Sequence, residues 1–302
     1  MSPKGRPERE HAPPRDAANE VSVGAHITVA APAKVNLFLH VTGRRGDGYH
    51  EIESLFALVD LADSISLTPR ADGVIEREGD VAGVPEDADL AMRAARALKG
   101  AAGVPSGVTI SVQKRIPMGA GLGGGSSDAA SVLLALNRLW KLDWTRTRLA
   151  TLGRTLGADV PFFIGGGNAL ARGTGDALTP VTMPGSWIAL VQPRAHVRTA
   201  DVFAAPDLTR DTPSAKIDVF SEGYGHNDLA GVTVARFPPV AQALAALRSR
   251  APQARMTGSG ACVFAAFATE REARDALSAL SLPAETFVTR TLARHPLAGF
   301  AG

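Results

Sequence analysis

A chain of 302 residues, 45% apolar and 21% charged, can hold one large domain or two ordinary ones, and its composition excludes a disordered or fibrous protein. A formal charge of +2 gives no electrostatic reason to expect a nucleic-acid partner. No apolar run reaches the length of a membrane span, and the lone cysteine, Cys262, excludes an intrachain disulfide; its apolar setting, ACVFAAFA, fits an inert buried thiol in a reducing, cytoplasmic compartment.

Residues 1–20 are polar, proline-rich and of mixed charge, with no apolar core of the kind a signal peptide needs, so they read as a disordered tail. Order is expected from Val21. VNLFLHV alternates, with Val35, Leu37, Leu39 and Val41 on one face and Lys34, Asn36, Phe38 and His40 on the other. A turn centred on Gly46–Gly48 leads into a second strand through LVDLADSISL. DADLAMRAARALKGAAGVP predicts a helix with Leu90, Ala94, Ala97 and Leu98 on one stripe and Gly100 near its end. GVTISVQK predicts a strand with Val108, Ile110 and Val112 inward. After a glycine-rich loop, Ala129, Val132, Leu133, Leu136, Leu139 and Trp140 mark a helix of period 3.6. TRTRLATLGRTLG predicts a further helix before GADVPFF. Past Pro184 come a strand at WIALVQP, a helix around PPVAQALAALRSR, the loop MTGSGA, the strand CVFAAF, the helix EREARDALSAL and a last strand at ETFVTR. Strands and helices mix without a regular βαβ beat, which predicts an α+β fold in two lobes.

The loop in RIPMGAGLGGGSSDAASVLLAL carries the chemistry. Gly119, Gly121 and Gly124 satisfy a dinucleotide-binding pattern, but that site also needs a second strand ending in an acidic residue about twenty positions on. Asp143 lies near that distance in WKLDWTRTRLA, which is no apolar strand, so the dinucleotide reading fails on context. A Walker A loop fails too, because no Gly-Lys-Ser/Thr closes the motif. A flexible linker would not run straight into a well-patterned helix. What is left is a glycine turn at a helix N-terminus, where free N–H groups and the positive dipole end bind anions. Ser126 or Ser127 is the expected cap, with a hydroxyl also in reach of a phosphate or its metal.

PMGAGLGGGSSDAA resembles the central motif of the GHMP kinases, small-molecule kinases that hold ATP on such a loop. PAKVNLFLHVTGRRGDGYHEIESLF, GADVPFF and RMTGSGACVFAAF resemble, in order, the other segments of the branch acting on a cytidine-diphosphate-linked methylerythritol in non-mevalonate isoprenoid synthesis. The resemblance spans Pro32 to Phe267. It implies a two-lobed fold: residues 21–183 like domain 2 of ribosomal protein S5, and residues 184–302 ferredoxin-like. It also implies phosphorylation of the 2-hydroxyl of 4-diphosphocytidyl-2-C-methyl-D-erythritol by ATP. Homoserine, mevalonate and sugar kinases of the same superfamily are the near rivals. An NAD-linked oxidoreductase and a catalytically silent binding protein are the distant ones.

By that resemblance Asp159 and Lys34 are the catalytic pair. An alcohol whose pKa lies about 12 units above a carboxylate's would cost about 16 kcal/mol to ionise beforehand. The carboxylate therefore takes the proton as the phosphoryl group departs, and the ammonium offsets developing charge. Without the family, Asp159 reads as an ordinary helix cap or turn residue, and Lys34 as a strand lysine that must snorkel, pair or serve a site, or else an edge-strand lysine in solvent. Pro117, Met118, Gly119, Ala120, Gly121, Leu122, Gly123, Gly124, Gly125, Ser126 and Ser127 are the expected ATP contacts, with Lys114 either at the nucleotide or in solvent. Asn36, one pleat from Lys34, is expected at the substrate. Tyr49 and Phe203 would sandwich a cytosine whose edge His50 reads, with Thr199 nearby; Gly258, Ser259 and Gly260 would shape the cleft. No Asp/Glu cluster has dedicated metal spacing, so no protein metal site is expected and Mg2+ would arrive with the nucleotide. The expected partner is the small cytidyl substrate, with neither membrane nor nucleic acid, acting on a monomer or homodimer.

Overall fold

The computed structural model describes residues 26–214 and 224–302; the tail expected over 1–20, and the expected first-lobe residues 21–25, lie outside the described residues. In chain order the first lobe contains β1 (Ile27–Arg44), β2 (His50–Arg70), β3 (Ile75–Glu78), α1 (Leu90–Ala102), β4 (Gly107–Gln113), α2 (Gly124–Leu139), α3 (Arg146–Arg154), α4 (Val160–Gly165), β5 (Ala169–Arg172) and β6 (Ala177–Pro180). The second contains β7 (Trp187–Pro193), α5 (Thr199–Phe203), α6 (Leu229–Arg236), α7 (Pro238–Arg248), β8 (Arg255–Met256), β9 (Val263–Phe267), α8 (Glu270–Ser278) and β10 (Ala284–Arg290).

β1 and β2 form a long antiparallel hairpin closed at the expected glycine turn, with Arg44 opposite His50. Gly48 takes a φ of 89° there, and Asp47 Oδ1 accepts the Tyr49 N–H at 3.1 Å. The other edge of β2 is divided: Ser64–Arg70 pair with β4, and Ser54–Phe56 pair with β5. β3, which the sequence pattern does not signal, runs parallel to β4. Both faces of β1 are buried between Ala31 and Val41 apart from the half-buried Leu37, because a helical layer covers one side and the second lobe the other. A bulge between Asn36 and Phe38 interrupts the expected alternation.

α2 is the central helix. Every residue from Ser127 to Asn137 is buried, as an element surrounded by other elements must be. Leu139 and Trp140, expected on its apolar stripe, are only partly buried. α1 is capped by Asp89, whose carboxylate accepts the Ala91 N–H at 2.9 Å, and it runs past Gly100 to end at Gly103 in the left-handed region. Its buried stripe is Ala91, Met92, Ala94, Ala95 and Leu98, with Leu90 and Ala97 nearer the rim than expected.

The second sheet has the order β10-β7-β9-β8 and is antiparallel throughout. With α6 and α7 between its first two strands in sequence and α8 between its last two, this is the ferredoxin-like plan. The lobes share a core: Ala33, Val35, Ala57 and Val59 of the hairpin pack on Ile188, Leu190, Cys262 and Phe264. Burial pushes the Cys262 thiol up to about 12, so it is the inert apolar filler expected. The expected second lobe, 184–302, does not keep its last residues. Leu292 N–H donates to Leu58 O, His295 N–H to Gly166 O, and Leu297 is buried in the first lobe's core. The segment after β10 returns because the first lobe supplies the apolar floor and the carbonyls it needs.

Candidate active site

A cleft of about 1020 Å³ opens between the lobes. Its walls are β1, the hairpin turn, the glycine loop, the start of α2, the entry to α4, α5 and the turn at 258–259. Gly119, Gly121 and Gly123 have φ of 65°, 76° and 72°, a region costly for any residue with a Cβ. Space is equally restrictive: a Cβ on Gly121 would sit 2.4 Å from Thr257 O, and one on Gly123 would press on the Phe163 ring and Lys34. Gly123 is the N-cap of α2 and offers no side-chain acceptor, which leaves the first-turn amides and the positive helix end facing the cleft. The expected cap at Ser126 or Ser127 is thus replaced by Gly123, because the loop needs a left-handed residue there. Residues Pro117 to Ser126 all line the cleft. Ser127 does not; its buried hydroxyl donates to Pro32 O at 2.6 Å and ties α2 to β1.

Lys34 stands opposite that loop at 4% exposure. Its Nζ donates to Asn36 Oδ1 at 2.7 Å, lies 3.6 Å from Asp159 Oδ2 and sits 4.8 Å from the Phe56 ring centroid. Asp159 occupies the N-cap position of α4, yet its side chain caps nothing and remains 31% exposed beside the ammonium. The carboxylate therefore has a free face toward the cleft. Asn36 is consumed internally: Nδ2 donates to Ser54 Oγ at 2.8 Å, and Oδ1 also accepts from Thr257 Oγ1 at 3.2 Å. Ser54 in turn donates to Phe38 O, so the chain of bonds fixes both the amide orientation and the lysine.

Lys114 is neither a free nucleotide ligand nor a solvated lysine. Its Nζ is clamped between Asp63 Oδ2 at 2.5 Å and Asp128 Oδ2 at 2.6 Å, while Asp63 Oδ1 accepts the Arg115 and Ile116 N–H groups. Burial disfavours the ammonium, but the two carboxylates outweigh it and its pKa is raised. Burial, with Asp63 alongside, pushes the Asp128 carboxyl upward. This triad sits under the start of α2; Lys114 and Asp128 reach the cleft wall, while Asp63 is buried behind them.

At the far end of the cleft Tyr49 stands 67% exposed on the hairpin turn. The His50 and Phe203 rings lie 5.1 Å apart, and Thr199 Oγ1 is 2.7 Å from Ser259 Oγ. Gly258 and Ser259 line the cleft; Gly260 does not, being packed against Met256 and Thr233 behind it. Sequence reasoning missed Ser54, Phe56, Asp63, Asp128, Thr257 and Arg210. The first five act through side chains distant in sequence, and Arg210 lies just past a segment whose pattern is loose. Among the described residues no group of three His, Cys, Asp or Glu side chains converges on a point fit for a metal ion.

The GHMP kinases N terminal domain family matches residues 89–167, and the GHMP kinases C terminal family matches residues 215–285. The chain is 56% identical over 270 residues to the 4-diphosphocytidyl-2-C-methyl-D-erythritol kinase of Thiobacillus denitrificans, covering 89% of this chain and 97% of the relative. It is 52% identical over 284 residues to the protein of the same name from Nitrosospira multiformis, covering 93% and 97%. A solved 4-(cytidine 5'-diphospho)-2C-methyl-D-erythritol kinase superposes with a TM-score of 0.78 at 37% identity, over 88% of this chain and 99% of that one. Methanococcus jannaschii mevalonate kinase, at 14% identity, 0.65 TM-score and coverage of 89% and 99%, shares the fold alone. The two lobes, with a glycine-capped helix of the first opening on the cleft between them, define a GHMP kinase. Within that class, the chain belongs to the 4-diphosphocytidyl-2-C-methyl-D-erythritol kinase family.

Proposed function

We infer that this chain transfers the γ-phosphoryl group of ATP to the 2-hydroxyl of 4-diphosphocytidyl-2-C-methyl-D-erythritol, yielding the 2-phosphate and ADP for non-mevalonate isoprenoid precursor synthesis. The observation that carries the reading is the Lys34–Asp159 pair at 3.6 Å, facing an uncapped helix start across one cleft, in a chain 56% identical to a kinase of that name. The loop fits a triphosphate: its left-handed glycines leave no Cβ in the way, and the first-turn amides of α2 supply donors. Magnesium would arrive with the nucleotide, as small hard cations held largely through substrate phosphates do, and would offset the phosphate charge.

Asp159 accepts the hydroxyl proton as the new O–P bond forms and the bond to ADP breaks. Lys34, held by Asn36 and backed by Phe56, stands beside the transferring group already in position and needs no reorganisation at that moment. Asn36 and Ser54 position the lysine. Tyr49 and Phe203 flank the base, and His50 reads its edge. Cytoplasmic location, a monomer or homodimer and no nucleic-acid partner belong to the same proposal; among the described residues no helix is long and apolar enough to cross a membrane.

ADP release measured with the cytidyl alcohol, homoserine, mevalonate and galactose in turn tests the reading. Only the cytidyl alcohol should support efficient turnover. A higher kcat/KM for any of the other three would replace this substrate.

A further inference from the structure

We propose that Arg210 is a positioning residue that fixes the His50 imidazole as a hydrogen-bond donor at Nδ1, and that this donor selects cytosine over uracil. The choice of base rests on the reaction inferred above; the tautomer does not. Arg210 Nε donates to His50 Nε2 at 3.0 Å. A guanidinium nitrogen has no lone pair to offer, so Nε2 must be the acceptor and the ring proton must sit on Nδ1. The arginine is not free to turn away. Nη1 donates to Leu208 O at 2.9 Å, and Nη2 to Phe203 O at 3.2 Å and Ala205 O at 2.5 Å. Those carbonyls belong to the end of α5 and the loop after it, so the same side chain also sets the Phe203 ring beside His50. Burial, then the charges of Arg210 and Arg44, lower the His50 pKa and keep the ring neutral.

His50 and Arg210 both line the cleft. With Nε2 occupied, the imidazole meets a ligand through its Nδ1–H. Cytosine presents N3 as an acceptor and makes that bond. Uracil carries a proton on N3, which sets donor against donor and leaves both unpaired. An unmade buried hydrogen bond of this kind discriminates by about tenfold or more. A histidine free to carry its proton on either nitrogen would accept from uracil in one tautomer and lose the distinction.

Two measurements test the proposal. In protein labelled with 15N-histidine, with the His50 signal among the seven assigned by difference from His50→Gln, Nε2 should show the unprotonated shift and Nδ1 the protonated one near pH 7.5. In Arg210→Met that signal should move to a mixture of tautomers. In parallel, kcat/KM is compared for the cytidyl alcohol and its uridyl counterpart. The cytidyl preference should fall about tenfold in Arg210→Met, mainly through KM for the alcohol, with KM for ATP within about twofold. Arg210→Lys loses the loop carbonyl bonds as the methionine variant does but keeps a donor-only group, so it should retain most of the preference. Equal loss in both variants, a wild-type Nε2–H tautomer, or an unchanged base preference in Arg210→Met would each overturn the assignment. Turnover of neither conjugate by wild-type protein would sink the proposed reaction and the choice of cytosine, while the spectrum would still decide the tautomer.

Discussion

Lys34 shows what holding a single buried ammonium beside a cleft requires. An ammonium buried to this degree is expensive unless hydrogen-bonded and paired, and here one firm bond goes to Asn36 while the carboxylate of Asp159 stays 3.6 Å off. That spacing leaves one face of the Asp159 carboxylate open to the cleft. Asp159→Asn keeps the shape and removes the proton acceptor, so kcat should fall about 10²- to 10⁴-fold with ATP affinity by calorimetry little changed. Lys34→Ala should cost turnover on the same scale; a loss below about tenfold in either would show that the pair is not the catalytic core. Tyr49→Ala should raise KM for the cytidyl alcohol about 5- to 150-fold, the equivalent of about 1–3 kcal/mol of stacking, with KM for ATP nearly constant. Lys114 is the counter-example. Nothing near it in sequence distinguishes a ligand contact from a structural clamp, and its partner Asp63 lies 51 positions away.

The glycine loop and α2 act as one element. Alternating left-handed glycines bring the chain to the helix with no Cβ at 119, 121 or 123, and the absence of a serine cap leaves the first-turn amides open to the cleft. Gly121→Ala combines a φ of 76° with a Cβ 2.4 Å from Thr257 O, so it should lower the melting temperature and raise KM for ATP about tenfold or more. Gly125→Ala is the stability control: its Cβ would meet only Leu90 Cδ1 at 3.5 Å, and differential scanning should find its melting temperature unchanged or higher. The loop and helix were legible because glycine spacing and a 3.6-residue stripe are local signals. β3 was not, since four residues pairing in parallel with β4 leave no periodic mark. Nor was the bulge in β1, which arises from pairing with β2 rather than from any residue in VNLFLHV.

Across the whole molecule, the hairpin and the chain end bind the two lobes together. β1 gives Ala33 and Val35 to the core between lobes and Leu39 and Val41 to the core under α6 and α7, so the cleft is built on a strand both lobes own. The returning C-terminal segment brings a pH dependence. His295 accepts the Leu297 N–H at Nδ1, while its buried Nε2 has no partner among the described residues, and burial lowers its pKa to about 3. The folded value lies below the unfolded one, so the unfolded chain binds the proton first. Stability from this group is full above about pH 6.5 and declines as pH falls toward about 3. At pH 5.5 the loss should be about 1.4 kcal/mol relative to pH 8. Urea midpoints of wild type and His295→Gln at the two pH values check this; an equal shift in both proteins would assign the acid sensitivity elsewhere.

The α+β class, most of the principal helices and strands and the glycine turn at the start of α2 were legible in the amino-acid sequence alone. Each of these is encoded in local periodicity or in short motifs whose residues act near one another along the chain. What the side chains of the cleft touch was set in three dimensions. Only folding brings Ser54 and Thr257 to Asn36, Asp63 and Asp128 to Lys114, Arg210 to His50, and the chain end to the first lobe. Hydrogen bonds and ion pairs depend on separations in space of a few ångströms, and partners between 14 and 234 residues apart leave no pattern in one sequence by which to find each other.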